Sequence, residues 1–166
     1  MFNDIQLSRE AGCLVNKHGL WLATAESCTG GLLGHLITSI GGSSEYYLGG
    51  FISYSNYAKE RWLGVSTETL MLFGAVSKET VLEMARGVRT AFGEKPEPGK
   101  IIGISISGVA GPGGGTSEKP VGTVWIGISS GKGDGATCFH FSGNREEIKA
   151  QSARQALEIL ITNLSQ

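Results

Sequence analysis

Cysteine, proline, histidine and charge are all scarce in this chain of 166 residues, which holds 3 cysteines, 4 prolines, 3 histidines and 17% charged residues. Cys13, Cys28 and Cys138 are odd in number and far apart, with no C-x-x-C pair. That excludes a disulfide framework or a structural zinc site and fits a reduced compartment. His18, His35 and His140 are equally scattered, so no metal ligand set and no cofactor is expected. Lysine and arginine total 14 against 15 acidic residues, a net charge of −1. No basic stretch interleaved with aromatics is present, and no nucleic-acid partner is expected. No apolar run approaches the ~18 residues of a membrane span. The opening MFNDIQLSREAG lacks a basic segment followed by an apolar one, so the expected location is cytoplasmic.

Glycine is abundant instead: 26 of 166 residues, about 16%, against a typical ~7%. The glycines follow no repeat and cluster at the ends of apolar runs, as where a backbone must approach a ligand closely. With 40% hydrophobic residues and this length, residues 1–166 are expected to fold as one domain around a sizeable core.

The patterning alternates between helical and extended. Asn3-x-x-Gln6 reads as a capping box. Leu7, Ala11, Leu14, Val15 and His18 then mark one helical face, closed by Gly19. LWLATA (20–25) reads as a buried strand and GGLLGHLITSI (30–40) as a helix. Residues 41–50 read as loop, with a helical turn capped by Ser43 or Ser44. FISYS (51–55) alternates like a strand, with Asn56 capping a short helix after it. A short helix is expected over 65–73. A longer one follows, capped by Ser77, with Val81, Met84, Ala85, Val88, Ala91 and Phe92 on its apolar face. Residues 94–100 form a turn-rich connection. IIGISIS (101–107) reads as a strand and 108–120 as a long glycine-rich loop. Residues 121–130 and 136–142 read as a hairpin joined through GKGDG. Asn144-x-x-Glu147 opens a last helix with Ala153, Leu157, Leu160, Ile161 and Leu164 on one face. Together these predict an α/β fold: a three-layer α/β/α domain with a mixed sheet.

Four segments could carry chemistry. In Thr24-Ala-Glu-Ser-Cys-Thr-Gly-Gly31 a buried strand runs into a helix. Ser27, Cys28 and Thr29 are three successive nucleophiles or donors beside free N–H groups, and Gly30 and Gly31 admit a ligand to the backbone. Equally, Ser27 or Thr29 is simply a helix cap. A serine nucleophile needs a base, and a desolvated lysine can serve. Tyr54-Ser-Asn-Tyr-Ala-Lys59 crosses from strand to helix, so Tyr54, Asn56 and Lys59 could reach the same sheet edge, although Lys59 also reads as a solvated helix residue. Glu26 either orients the lysine, binds a cationic group of a ligand, or is a first-turn acid favoured by the helix dipole. Ser105 to Thr116, with Ser107, Gly108, Gly111 and Gly113, follows a strand as a phosphate cradle would, yet matches no nucleotide fingerprint and also reads as a flexible loop. In Ser142-Gly-Asn-Arg145, Arg145 at a helix start either clamps a phosphate or is an ordinary surface arginine.

TAESCTGG, GFISYSNYAK, ISGVAGPGGGTSEKPVGTVW and FSGNR, in that order, resemble the CinA C-terminal domain family, the nicotinamide-nucleotide amidases. The resemblance covers about residues 5–162 and looks like the family's stand-alone form. It implies hydrolysis of the carboxamide of nicotinamide mononucleotide to nicotinic acid mononucleotide and ammonia, without cofactor or metal. It puts the family's serine on Ser27 and its lysine on Lys59. Tyr54, Thr29 and Arg145 fall on further motif positions. A homo-oligomer, with a dimer favoured, is expected, for which Trp62, Leu63, Met71, Leu72 and Phe73 could supply an apolar face. The competing expectation is a non-catalytic nucleotide- or phosphate-binding module of a competence- or damage-related system, with Ser27 as a ligand contact only.

Overall fold

The computed structural model describes residues 2–94 and 96–165; the side chains of Phe2 and Asn3 are outside the description. The elements run α1 (Phe2–Lys17), β1 (Trp21–Glu26), α2 (Leu32–Thr38), β2 (Tyr47–Ile52), α3 (Asn56–Leu63), α4 (Thr67–Phe73), α5 (Lys78–Ala91), β3 (Ile101–Gly108), β4 (Thr123–Ser130), β5 (Gly133–His140) and α6 (Arg145–Leu164). The sheet order is β2-β1-β3-β4-β5. The β1–β2 and β1–β3 pairs are parallel, whereas β3–β4 and β4–β5 are antiparallel. This is the expected mixed sheet between two helical layers.

Alternation along β3 explains the layers. Ile102, Ile104 and Ile106 point to one face, where they pack with Ala11 and Val15 of α1, Leu33 and Ile37 of α2, and Ala153, Leu157 and Leu160 of α6. The other face carries Gly103 and Ser105, and small residues there let α5 press in. The Ser105 hydroxyl donates to the Val81 carbonyl at 2.6 Å, and a Cβ on Gly103 would collide with the Ala85 carbonyl. Met84 and Val88 of α5 complete this second core with Ala23, Ala25 and Leu63. Each fully buried Ile, Leu or Met contributes roughly 1.5–3 kcal/mol.

Several boundaries differ from expectation. The capping box at Asn3 rests on a side chain outside the described residues. Gly19 does close α1, at φ +62, with the paired bonds Gly19 N–H to Asn16 O and Leu20 N–H to Val15 O of a Schellman stop. The 3-10 turn at Ser43–Glu45 has no side-chain cap and follows Gly42 at φ +84. β2 begins at Tyr47, inside the stretch read as loop, because Gly49 and Gly50 pair with Ala23 and Thr24. Strand pairing overrides glycine's local signal here. Ser55, not Asn56, caps α3: it is extended, and its hydroxyl accepts from Ala58 N–H. On α5, Ala91 is exposed, while Phe92 tilts against Phe51 at 5.9 Å. In 94–100, Lys95 is outside the described residues and Pro98–Lys100 forms a 3-10 turn. The β4–β5 hairpin turns through Gly131 and Lys132 alone, since Ser130 already pairs with Gly133. Of the expected apolar interface, Leu63 is core, whereas Trp62, Met71, Leu72 and Phe73 are exposed, Met71 by 80%.

Candidate active site

The chain leaves β1 for α2 on one face, returns in β2, and crosses by α3–α5 on the other face to reach β3. The topology therefore switches direction between β1 and β3, and crevices form at the carboxyl ends of strands at such a point. Ser27 follows β1, Tyr54 follows β2, and Ser107 and Gly108 end β3. These ends surround a pocket of about 260 Å³, also lined by Cys28, Lys59, Ala75, Val76, Gly111, Gly113 and Arg145.

Lys59 sits one turn into α3, turned inward to 1% exposure. Its Nζ donates to Ser27 Oγ at 3.1 Å and to the Ser53 carbonyl at 2.7 Å. No carboxylate pairs with it among the described residues. Burial, with only a small opposing influence from Cys28, lowers its pKa from 10.5 to about 8. A solvated helix lysine would show none of these features.

The three candidate nucleophiles are now distinguishable. Burial pushes the Cys28 thiol up to about 12, with the negative field of Glu26 adding to it, so thiolate is scarce at neutral pH. The Thr29 hydroxyl donates to Glu26 at 2.7 Å. That carboxylate lies outside the pocket, so of the three only the Ser27 hydroxyl meets, within the pocket, a group able to take its proton.

Glu26 lies on the far side of this turn. Its carboxylate accepts from Thr29 Oγ1 and from the N–H groups of Gly31 and Leu33 at 3.0 Å each and Gly34 at 2.8 Å. It neither touches Lys59 nor lines the pocket. The expected orienting role is replaced by the helix-terminal one, since α2's first N–H groups need an acceptor. For the same reason Gly31 offers no N–H to a ligand, and the Gly30 N–H is bound to Ser27 O at 3.1 Å. Thr29, Gly30, Gly31 and the exposed Asn56 lie outside the pocket lining. Ser107 lines the pocket, but its hydroxyl is committed to Ala75 O at 2.7 Å.

The opposite wall is cationic. The box expected at Asn144 is present: its side chain accepts from the Glu146 and Glu147 N–H groups, and Glu147 accepts from the Asn144 N–H at 2.7 Å. This places Arg145 in the first turn of α6. Arg145 donates to Gly111 O at 2.6 Å and to Tyr54 Oη at 2.9 Å, bridging the loop and the end of β2. It makes no ion pair among the described residues. A larger groove of about 420 Å³ lies between α3 and α5, but its one hydroxyl, Thr90, is spent on Arg86 O at 3.1 Å. Among the described residues no group of three His, Cys, Asp or Glu could hold a metal ion, and no helix is long and apolar enough to cross a membrane.

The model of the CinA C-terminal domain matches residues 4–164. The chain belongs to that family. It is 47% identical over 154 residues to the nicotinamide-nucleotide amidohydrolase PncC of Enterobacter agglomerans, covering 92% of this chain and 90% of that protein. With the protein of the same name from Escherichia coli K12 the figures are 44% over 159 residues, 94% and 92%. It is also 47% identical over 162 residues to a CinA-like protein of Syntrophomonas wolfei, covering 98% of this chain but only 37% of that one. The chain thus spans less than two fifths of that relative's length. The crystal structure of competence/damage inducible protein CihA from Agrobacterium tumefaciens superposes with a TM-score of 0.90 at 40% identity, covering 99% of this chain and 96% of that one.

Some parts of this CinA C-terminal domain site carry no mark in the sequence. The carbonyls of Ser53 and Ala75 act through main chain, which residue type does not advertise. Lys119 pins the glycine-rich loop to the end of α4 by donating to Phe73 O at 2.6 Å. The pairing of Lys119 N–H with Thr116 Oγ1 at 3.0 Å was the available hint: a Thr-x-x-Lys turn inside an otherwise featureless loop.

Proposed function

We propose that this chain hydrolyses the carboxamide of nicotinamide mononucleotide, giving nicotinic acid mononucleotide and ammonia, with Ser27 as nucleophile and Lys59 as base. The observation that carries the reading is the buried Lys59 amine at 3.1 Å from Ser27 Oγ, with no carboxylate among the described residues to keep it protonated. A binding module has no use for an easily deprotonated lysine beside a serine. The names of the relatives from Enterobacter agglomerans and Escherichia coli support the substrate class.

With a pKa of about 8, about a quarter of Lys59 is neutral at pH 7.5. The neutral amine takes the Ser27 proton as Oγ bonds to the carboxamide carbon. The resulting oxyanion is held by main-chain N–H groups. Cys28, which follows the nucleophile directly, and the glycine-rich loop both line the pocket that these donors must face. The Lys59 ammonium then gives its proton to the departing nitrogen and ammonia leaves. Water attacks the nicotinoyl ester of Ser27, its proton passing to Lys59 and on to the serine oxygen. Arg145, without an ion pair among the described residues and braced by Tyr54 and Gly111, takes the phosphate of the ribose, and that remote contact orients the reacting amide. No step needs a cofactor.

The test is incubation of the purified protein with nicotinamide mononucleotide while ammonia and nicotinic acid mononucleotide are followed together. Equimolar release by the wild type, with turnover falling more than ~1,000-fold in Ser27→Ala, is expected. A folded wild type that releases no ammonia between pH 6 and 9 moves the site to nucleotide binding alone.

A further inference from the structure

Residues 109–122 join β3 to β4 without helix or strand, and an irregular connection of this length is usually functional. Its base is closed by Val109 N–H to Thr123 O at 2.9 Å and Gly122 N–H to Val109 O at 2.7 Å. Beyond the base, residues 112–118 are exposed, and among the described residues two side-chain hydrogen bonds tie the loop to other elements. Arg145 of α6 donates to Gly111 O at 2.6 Å. Lys119 donates through Nζ to the carbonyl of Phe73, the last residue of α4, also at 2.6 Å. The first tie is shared with the ligand, because the proposed reaction asks Arg145 for the phosphate. The second does not depend on the ligand.

We infer that Lys119 is a positioning residue for substrate binding in the proposed reaction: by clasping the glycine-rich loop to the end of α4, it joins two walls of the pocket before the ligand arrives. Both ends of the clasp are prepared. On the loop, Thr116 N–H donates to Lys119 O and Lys119 N–H to Thr116 Oγ1, each at 3.0 Å, so the lysine's backbone is set where its half-buried side chain reaches out. On the other side the acceptor is fixed, because three successive carbonyls each take a side-chain donor. Phe73 O takes Lys119, Gly74 O takes Ser77 Oγ at 3.1 Å and Thr80 Oγ1 at 2.7 Å, and Ala75 O takes Ser107 Oγ at 2.7 Å. A cation at the last carbonyls of a helix also meets the negative end of the helix dipole. Two residues past Phe73 the chain becomes one pocket wall, at Ala75 and Val76, and the loop supplies another from Val109 to Gly111 and at Gly113 and Gly114. Lys119 itself lies outside the lining, so it joins the walls from behind. Without it the loop's ordering is drawn from the energy of binding; with it that ordering is already supplied.

The inference rests on the amidase reading, and two measurements keep them separable. Steady-state kinetics on nicotinamide mononucleotide and backbone hydrogen exchange are taken for the wild type, for Lys119→Met, which keeps the stem and removes the donor, and for Lys119→Arg, which restores a charged donor. The expected result for Lys119→Met is KM raised about tenfold with kcat within about twofold, since the bound complex regains the ordered loop and only uniform binding is lost. The rise is the same in about 50 and about 500 mM salt, because a bond to a carbonyl is not the long-range attraction that salt screens. Lys119→Arg brings KM back to within about threefold of the wild type. Exchange at the Thr116 N–H quickens about tenfold in Lys119→Met while that of Ile104 in β3 does not change, which marks a local opening. An active wild type with KM unchanged in Lys119→Met overturns the inference and leaves the amidase reading standing. A KM rise that disappears in high salt also overturns it, because Lys119 would then be a steering charge, as does a loss confined to kcat, which would place its effect at the reacting atoms. No ammonia from the wild type overturns the amidase reading, and the exchange at Thr116 then decides the clasp alone: unchanged exchange overturns it and faster exchange upholds it.

Discussion

Replacing Lys59 by Met removes a buried charge and keeps most of the side chain's volume, so it tests the energetic cost of the proposed base. In the fold the amine titrates near 8 rather than 10.5. A shift of about 2.5 units corresponds to about 3 kcal/mol at 1.36 kcal/mol per unit. The folded pKa is the lower one, so between about pH 8 and 10.5 the unfolded chain binds more protons. The burial cost is therefore complete below pH 8 and fades as the pH rises towards 10.5. Lys59→Met escapes that cost but leaves the Ser53 carbonyl without its donor, an offset of about 1–3 kcal/mol that does not vary with pH. The sign at pH 7 alone is thus uninformative, and the pH dependence of the difference decides. From pH 7 to pH 10 the wild type should gain about 2–3 kcal/mol relative to Lys59→Met, or about 5–10 °C in Tm for a chain of this size. Paired urea or thermal unfolding at both pH values reads this directly, because all other titrating groups are common to the two proteins. A wild-type-minus-variant difference that stays constant within about 0.5 kcal/mol would show that Lys59 is not held in the desolvated state on which the mechanism depends.

The same amine governs the rate profile. kcat/KM should climb with pH as Lys59 loses its proton, nearly tenfold per unit well below its pKa of about 8 and level above it; a flat profile from pH 6 to 9 would remove Lys59 as base. Arg145→Ala should raise KM for nicotinamide mononucleotide by about 10–100-fold, the worth of a charge-assisted contact of 1.5–3 kcal/mol, while hydrolysis of the riboside, which has no phosphate, stays within about twofold. Equal losses on both substrates would mean that Arg145 braces Tyr54 and Gly111 rather than binding phosphate.

How far the sequence could be read depends on where each residue's determinants lie. β3 was legible because every second residue from Ile102 to Ile106 is a core isoleucine, and the glycine and serine between them admit α5. α6 was legible because the Asn144–Glu147 box is a local, reciprocal bond. β2 was misplaced because Gly49 and Gly50 enter the sheet only through pairing with β1, a partner more than twenty residues away in the chain. Within the site, the Ser27–Lys59 pair could be proposed from residue type, since the chemistry demands a base and both segments end strands. What residue type could not supply was direction. Glu26, Ser27 and Thr29 are near neighbours in sequence, yet β1 turns Glu26 to the α2 side and Ser27 to the pocket. The carboxylate consequently serves the helix that follows it, not the lysine opposite. This turning apart of neighbouring side chains also explains how a buried acid at the end of β1 and a buried lysine on α3 can both neighbour Ser27 without neutralising one another. Were Glu26 to meet Lys59, an ion pair would raise the lysine's pKa and remove the base. The four donors that occupy Glu26 keep that pairing from forming, so the helix terminus helps keep Lys59 easily deprotonated.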